Sequence, residues 1–179
     1  LRLSSRVEAV RPTGGGFSYR VGTPTAAEGA TADAVLIAAG FEVFDPRDKP
    51  YGFGLYPDVV TNLQLETLLR SPGGVVRPSD GAAPNRIAFL QCVGSRDQAL
   101  GRLWCSAFCC GASVRAAMQI RAARPETEIT IFYIDIQSFG RDFESAWGEY
   151  RRSLRFVRGV PAEAFREETA GIRLAWMDL

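Results

Sequence analysis

Four cysteines, Cys92, Cys105, Cys109 and Cys110, are the only cysteines in the 179-residue chain, and they lie in one window with the spacing C-x12-C-x3-C-C. Thiolates bind metal ions and iron–sulfur clusters and also exchange disulfides, so this window is the candidate chemical site. The chain contains no histidine. That composition excludes His-based catalytic triads and His-containing metal sites within these residues.

Four interpretations of the cysteine window compete. Free cysteine is a common small core residue, but the concentration of all four in one window argues against unrelated buried thiols. A structural zinc site usually has paired C-x2-4-C knuckles, and adjacent cysteines fit tetrahedral closure poorly. A redox dithiol would use Cys105 with Cys109, or the strained and therefore labile vicinal pair. A [4Fe–4S] cluster requires four thiolates at a spacing that varies with the fold, so the residues alone leave the last three interpretations open.

The elements around the window predict an α/β unit. Residues 86–92 form a predicted strand that ends at Cys92, and a predicted helix begins at Cys105, which would place Cys105 and Cys109 on one helix face. Further strands are predicted at residues 128–136 and 154–159, with a helix between them. This alternation is typical of a Rossmann-like parallel sheet with right-handed crossovers. Ligands bind such sheets at the carboxyl ends of the strands, beside helix N-termini whose partial positive charge favours thiolates.

The first part of the chain has a different pattern. Residues 3–23 predict a strand, a Gly-rich turn and a second strand, and residues 32–40 predict a buried strand that ends at Gly40. Residues 61–70 predict a short helix with Thr61 as the N-cap.

We therefore predict three parts. Residues 1–70 are interpreted as the C-terminal part of an FAD-domain-like region, with a β-meander, a connecting loop and a short helix. Residues 71–85 form a linker, and residues 86–179 form the Rossmann-like domain that carries the cysteines.

The bulk composition limits the partners. The net charge of +1 predicts no nucleic-acid partner. No run approaches the roughly 18 apolar residues of a membrane span, so direct membrane insertion is not expected. The sequence also has no secretory signal, and we expect a cytoplasmic setting that keeps thiols reduced.

The stretches around the cysteines carry a more specific resemblance. "GFEVFDPRDKPYGFGLYPDVVTNLQLETLL", "IAFLQCVGSRD", "WCSAFCC" and "TIFYIDIQSFGRDFE…RFVRGVPAE" together resemble the A subunit of heterodisulfide reductase. They are also similar to its relatives, which include the flavoprotein subunits of quinone-interacting membrane-bound oxidoreductase. The resemblance implies a thioredoxin-reductase-like flavoprotein with two dinucleotide-binding domains, in which the pyridine-nucleotide domain holds an iron–sulfur cluster.

The same resemblance implies roles for individual residues. It makes Ala39 and Gly40 the residues nearest the FAD of a full-length parent chain. The ligands of a [4Fe–4S] cluster would be Cys92, Cys105, Cys109 and Cys110. The protein would be an electron-transfer subunit that relays electrons between FAD and other redox subunits of a heterodisulfide reductase-like complex, with no general acid, base or nucleophile among its side chains.

Two departures from the family pattern lead us to expect a fragment. The chain has no G-x-G-x-x-G for FAD and no ferredoxin-type cysteine runs, so the fragment alone is expected to be inactive. The alternative functions are a flavin-linked thiol–disulfide oxidoreductase that uses Cys105, Cys109 and Cys110, and a zinc-stapled interaction domain.

Residues beside the cysteines have two interpretations each. Arg96 either offsets negative charge at the cysteines or pairs with Asp97 to fix the loop. Asp135 is predicted to cap a loop or a helix, since no glycine loop accompanies it for nucleotide binding.

Overall fold

The computed structural model of the chain describes residues 2–137, 143–167 and 171–177. The chain divides into two compact units, Leu1–Val43 and Phe44–Leu179. We refer to them as the meander unit and the α/β unit. No helix in the described part of the chain is long and apolar enough to cross a membrane.

The meander unit is an antiparallel three-stranded sheet. Its strands are β1 (Arg6–Thr13), β2 (Gly16–Gly22) and β3 (Ala27–Ala32), in the order β1-β2-β3. A Gly-rich turn joins β1 to β2, so that Thr13 faces Gly16 at the end of the ladder. The predicted strand, turn and strand are confirmed.

The predicted buried strand at residues 32–40 is wrong. Residues 34–43 belong to no helix or strand, and Leu36 is 91% exposed and Ile37 86% exposed. The polar segment before them, Ala27–Ala32, forms the third strand and pairs with the free edge of β2 instead. An apolar run becomes a buried strand only where a partner strand and a packing surface are available to it.

The structure confirms the predicted α/β class and the parallel sheet, while the predicted two-dinucleotide-domain flavoprotein architecture stays a prediction. The elements of the α/β unit are α1 (Asn62–Arg70), β4 (Arg86–Leu90), α2 (Cys109–Ala123), β5 (Glu128–Tyr133), α3 (Phe143–Ser153), β6 (Arg155–Arg158), β7 (Glu163–Glu167) and β8 (Gly171–Ala175). Strands β4, β5 and β6 form a parallel sheet in that order. The antiparallel pair β7–β8 was not predicted. The predicted helix at residues 141–153 is α3 from residue 143 onward, and its first two residues lie outside the described residues.

The core of the α/β unit lies between α2 and the parallel sheet. Phe89 of β4 and Ile131 of β5 pack there against Ala117 and Ile120 of α2, and Ile131 and Ala117 are 0% exposed. Alanine at the contact lets the helix backbone approach the sheet closely, which holds α2 in a fixed register over the strands.

The segment before β4 shares this core. Leu65 of α1 and Val75 are buried in the same cluster, so residues 71–85 lie within the α/β unit. Thr61 is the N-cap of α1 as predicted, in a capping box with Gln64. The three-part division into residues 1–70, 71–85 and 86–179 describes a parent chain and stays a prediction.

Candidate functional site

The four cysteines lie around the carboxyl edge of the parallel sheet. Cys92 follows β4, Cys109 and Cys110 open α2, and Cys105 lies in the segment between them, residues 93–108, which we call the cysteine loop. Cys110 is buried and the other three are half-buried. The strand–helix order of the unit thus delivers three cysteines to one edge of the sheet and the fourth to the loop beside it.

Cys109 lies beside two of the other cysteines. Its side chain interacts with those of Cys92 and Cys110. Cys105 is close enough to act electrostatically on Cys110. The structure therefore brings the four predicted site residues together, with Cys109 at the centre of the group.

The contacts shift the pKa values of these thiols. The pKa of Cys109 is lowered, first by the side chain of Cys110 and then by that of Cys92, and the Ser106 hydroxyl acts in the same direction. The pKa of Cys92 is raised, first by the Cys109 side chain and second by burial. The pKa of Cys110 is raised by the same two causes. The surroundings therefore favour the thiolate at Cys109 over those at Cys92 and Cys110.

The predicted start of the cysteine helix is wrong. Helix α2 begins at Cys109, so Cys105 does not share a helix face with it. Ala107 has a left-handed backbone with φ of 54°, which stops the helix from extending further back. Its N–H donates to the Cys105 sulfur at 3.2 Å, and that bond orients Cys105 toward the start of α2.

Unusual backbone conformations concentrate in this region. Of the four non-glycine residues with positive φ in the described part of the chain, three are Cys92 (62°), Arg96 (54°) and Ala107. Such conformations are costly outside glycine and persist where the surrounding structure enforces them, often at functional sites.

A short hairpin closes the cysteine loop on itself. The backbones of Asp97 and Arg102 exchange two hydrogen bonds of 2.8 and 3.0 Å. Next to them, the Arg96 N–H donates to the Trp104 carbonyl at 3.2 Å. These bonds hold the two arms of the loop together and fix the distance between Cys92 and Cys105.

A second loop, residues 44–58, packs against the cysteine loop. Lys49 forms an ion pair with Asp97 in which the side chains are 18% and 21% exposed. The Arg102 guanidinium lies 5.2 Å from the centre of the Phe44 ring. Phe44 also packs against Gly94, where an added Cβ atom would overlap the ring. We call residues 44–58 the strap, because Lys49 and Phe44 within them contact the cysteine loop.

Arg96 and Asp135 form an ion pair beside the cysteines. The pKa of Arg96 is raised, first by its hydrogen bond to Asp135 and also by the charges of Cys92 and Cys105. The Asp135 carbonyl, just past β5, accepts a hydrogen bond from the Cys110 thiol at 3.9 Å. The predicted pairing of Arg96 with Asp97 is therefore wrong, because Asp97 pairs with Lys49. A cation close to the thiols agrees with the other interpretation of Arg96.

The chemistry of these residues suits a thiolate-bound group, because four thiols can supply the ligand atoms. The Arg96 guanidinium and the N-terminus of the 15-residue helix α2 favour negative charge on those sulfurs. Within residues 2–137, 143–167 and 171–177, no group of three or more His, Cys, Asp or Glu side chains is arranged to hold a metal ion. The assignment of the four cysteines as cluster ligands stays a prediction.

The two residues predicted to lie near FAD, Ala39 and Gly40, belong to the meander unit, in the segment without regular structure. Gly40 has a φ of 73°, which suits glycine. Their predicted place near FAD stays a prediction.

Sequence reasoning missed the partners that support the cysteines. Lys49 lies far from the window in sequence, and nothing in the pattern linked it to Asp97. Gln91 carried a visible signal, because it is a polar residue that continues an apolar strand directly before Cys92.

Fold and site together define a class of domain: a Rossmann-like α/β unit with four cysteines around the carboxyl edge of its parallel sheet. No protein-family model matches the chain. Comparison with curated proteins does find relatives. The A subunit of the H(2):CoB-CoM heterodisulfide,ferredoxin reductase of Methanothermobacter thermautotrophicus is 39% identical over 136 residues, which are 72% of this chain and 21% of that protein.

Two further relatives have similar names. The A subunit of the ferredoxin:CoB-CoM heterodisulfide reductase of Methanosarcina mazei is 43% identical over 143 residues, 76% of this chain and 18% of that protein. The second iron-sulfur A subunit of the CoB--CoM heterodisulfide reductase of Methanopyrus kandleri is 42% identical over 137 residues, 73% of this chain and 21% of that protein. The chain is therefore homologous to one segment of the heterodisulfide reductase A subunit, which confirms the resemblance in its sequence. It spans about a fifth of the length of these oxidoreductase subunits.

Proposed function

We propose that this chain is the electron-transfer segment of an iron–sulfur flavoprotein similar to the heterodisulfide reductase A subunit. The observation that carries the proposal is the gathering of Cys92, Cys105, Cys109 and Cys110 around the carboxyl edge of the parallel sheet and the start of α2. The name of a relative 42% identical to this chain, which calls that protein an iron-sulfur subunit, supports it.

In this proposal the four cysteines hold a [4Fe–4S] cluster, which supplies one-electron transfer when it is bound. The chain contributes ligands and electrostatics. The neighbouring thiols lower the pKa of Cys109, which favours its thiolate form as a ligand. Arg96 offsets negative charge at Cys92 and Cys105, and the N-terminus of α2 adds a partial positive charge beside Cys109.

The rest of the proposed machinery belongs to the parent chain and its complex. FAD in the parent chain would exchange electron pairs, with Ala39 and Gly40 close to it. Other redox subunits of a heterodisulfide reductase-like complex would take or deliver single electrons. The segment alone would then hold the cluster without turning over substrate.

The test is reconstitution without oxygen. The chain is incubated with iron and sulfide, desalted, and studied by visible spectroscopy. The proposal predicts broad absorption at about 400 nm that dithionite bleaches and a mild oxidant restores. Cys109→Ser abolishes the band, whereas Arg115→Gln, on the exposed side of α2, retains it. A colourless wild-type protein after reconstitution would refute the proposal.

The runner-up is a thiol–disulfide oxidoreductase. It is favoured by the position of Cys109 beside the thiols of Cys92 and Cys110, which lower its pKa, because a thiolate beside a second thiol can exchange disulfides. It predicts a metal-free protein in which two thiols are lost on mild oxidation and recovered on reduction. A zinc-stapled domain would instead give colourless protein with about one zinc per chain.

A further inference from the structure

Among the described residues, Gln91 is the buried polar residue whose side chain lacks hydrogen-bond partners. The residue is 3% exposed, and neither its Nε2 nor its Oε1 has a hydrogen-bond partner. The other two buried polar side chains are satisfied. Ser113 accepts from Asn62 at 2.9 Å, and Thr127 donates to the Pro84 carbonyl at 3.2 Å.

A buried amide without partners is costly and rare in native proteins. An unsatisfied N–H is rarer still than an unsatisfied carbonyl. The Gln91 amide therefore points to a partner that the polypeptide does not itself supply.

The register of β4 shows where that partner lies. The Gln91 N–H donates to the Phe132 carbonyl at 3.0 Å, so the parallel ladder continues past Leu90. Phe89 packs against Val114 of α2 in the core. Side chains two residues apart leave a strand on the same face, so Gln91 faces the α2 side of the sheet, one step closer to its carboxyl edge.

The first turn of α2 lies over that edge. A helix that connects two parallel strands runs back along the sheet, so its N-terminus lies beside the strands' carboxyl ends. The contact between the Cys110 sulfur and the Asp135 carbonyl, just past β5, agrees with this. Gln91 thus lies at the edge of the sheet where α2 begins with Cys109 and Cys110, and its own backbone continues directly into Cys92.

We propose that the Gln91 Nε2–H group donates a hydrogen bond to a sulfur of the cluster held by the four cysteines and thereby raises its reduction potential. The inference rests on the proposed function. Reduction adds one negative charge to the sulfur-bound group, and a buried donor stabilises the more negative state. In this proposal, the buried amide gains its hydrogen-bond partner when the cluster is bound.

The first test is the reduction potential of the reconstituted cluster in Gln91→Met and Gln91→Leu. Methionine fills a similar volume without an N–H donor, and leucine is a second apolar side chain that can neither donate nor accept a hydrogen bond. An EPR-monitored redox titration is expected to give a lower potential for both variants than for wild type. Resonance Raman spectra are expected to show shifted Fe–S stretching frequencies in both.

The matched control is Thr127→Val. It also removes a buried polar group, but at the amino end of β5, the opposite edge of the sheet. We expect it to lower thermal stability and to leave the potential and the Raman spectrum unchanged. A wild-type potential in both Gln91 variants, or an equal shift in Thr127→Val, would overturn the inference.

Thermal stability with and without the cluster gives a second readout. In the cluster-free protein, Gln91→Met is expected to melt at or above the wild-type temperature, because it removes an unpartnered amide. The gain in melting temperature on cluster loading is expected to be smaller in Gln91→Met than in wild type. An equal gain would contradict the hydrogen bond.

The proposed function and the proposed role of Gln91 can be refuted separately. If the wild-type chain takes up no iron and sulfide, the proposed function and this inference fall together. If the Gln91 variants load the cluster with unchanged potential and spectra, only the role of Gln91 falls. Should Gln91→Met not fold, Gln91→Leu alone decides, since an unchanged potential there refutes the donor.

Discussion

At the scale of single residues, the cysteines lie beside an ion pair that contributes a positive charge. The pKa of Cys109 is lowered by the side chains of Cys110 and Cys92. Arg96 lies outside this group as a cation, and Asp135 holds its guanidinium in place. The ion pair is partly exposed and contributes little to folding. Its consequence is therefore expected in the properties of the site.

The first prediction concerns this cation. Arg96→Gln is expected to lower the reduction potential of the reconstituted cluster, because a positive charge near the sulfurs favours the reduced state. The free energy of unfolding is expected to change by less than about 1 kcal/mol, as for other exposed pairs. A redox titration beside a urea denaturation curve measures both. Arg115→Gln is the control, and an equal shift of the potential in both variants would contradict a specific role for Arg96.

The ion pair between Lys49 and Asp97 makes a prediction about pH. The pKa of Asp97 is lowered from 3.8, first by its hydrogen bond to Lys49. A depressed carboxyl pKa stabilises the fold above the unfolded value, and that stabilisation is lost as the pH falls through the folded value. The difference in melting temperature between wild type and Asp97→Asn is thus expected to be largest near about pH 6 and to shrink below about pH 4. A difference that stays constant from about pH 6 to about pH 3 would contradict the pair.

At the scale of elements, the strap and the cysteine loop depend on each other. The strap contacts the loop through Lys49 and Phe44. The residues directly after Lys49 are fixed to the region of β7, where the Tyr51 hydroxyl donates to the Pro161 carbonyl at 3.2 Å and the Ala164 N–H donates to the Pro50 carbonyl at 2.8 Å. A Gly/Pro-rich segment without helix or strand thus positions the loop that carries Cys105.

Gly94→Ala tests the contact between these two elements. The new Cβ would overlap the Phe44 ring, on a backbone with φ of +82°. We expect a loss of about 2–4 kcal/mol in the free energy of unfolding, from overpacking and backbone strain together. Gly101→Ala is the matched control, since its φ is +64° and nothing lies within 4 Å of its Cβ. Equal losses in urea denaturation of the two variants would show that the Phe44 contact is unimportant.

Some elements followed from the sequence, and others did not. The strands and helix that flank Cys92 and Cys110 were predictable because apolar periodicity and Pro125 bound them clearly. The start of α2 was not, because helix propensity does not reveal the left-handed backbone of Ala107. The apolar segment at residues 34–40 was misread as a strand, because an apolar run contains no information about which edge is free to pair with it.

The candidate cysteines could be recognised in the sequence, whereas the residues that contact them could not. The clustering of all four cysteines in one window is visible in the chain. The ion pairs of Arg96 and Lys49 join residues 39 and 48 positions apart. Such pairs are set by the packing of loops, which a single sequence does not encode in any local pattern.

At the scale of the whole molecule, all four cysteines belong to the α/β unit, which has its own core. The strap, the cysteine loop, β4 and α2, which position them, all lie within that unit as well. We therefore expect a protein of residues 44–179 to fold and to take up the same group as the full chain. Circular dichroism and the visible spectrum after reconstitution measure this. A protein of residues 44–179 that folds but stays colourless, while the full chain turns brown, would contradict this expectation.

Metal and sulfide analysis of the full chain purified without oxygen tests the central claim most directly. The account predicts iron and sulfide near about four per chain, with little zinc, and loss of both in Cys109→Ser but not in Arg115→Gln. Stoichiometric zinc, or a metal-free protein whose thiols oxidise reversibly, would contradict it.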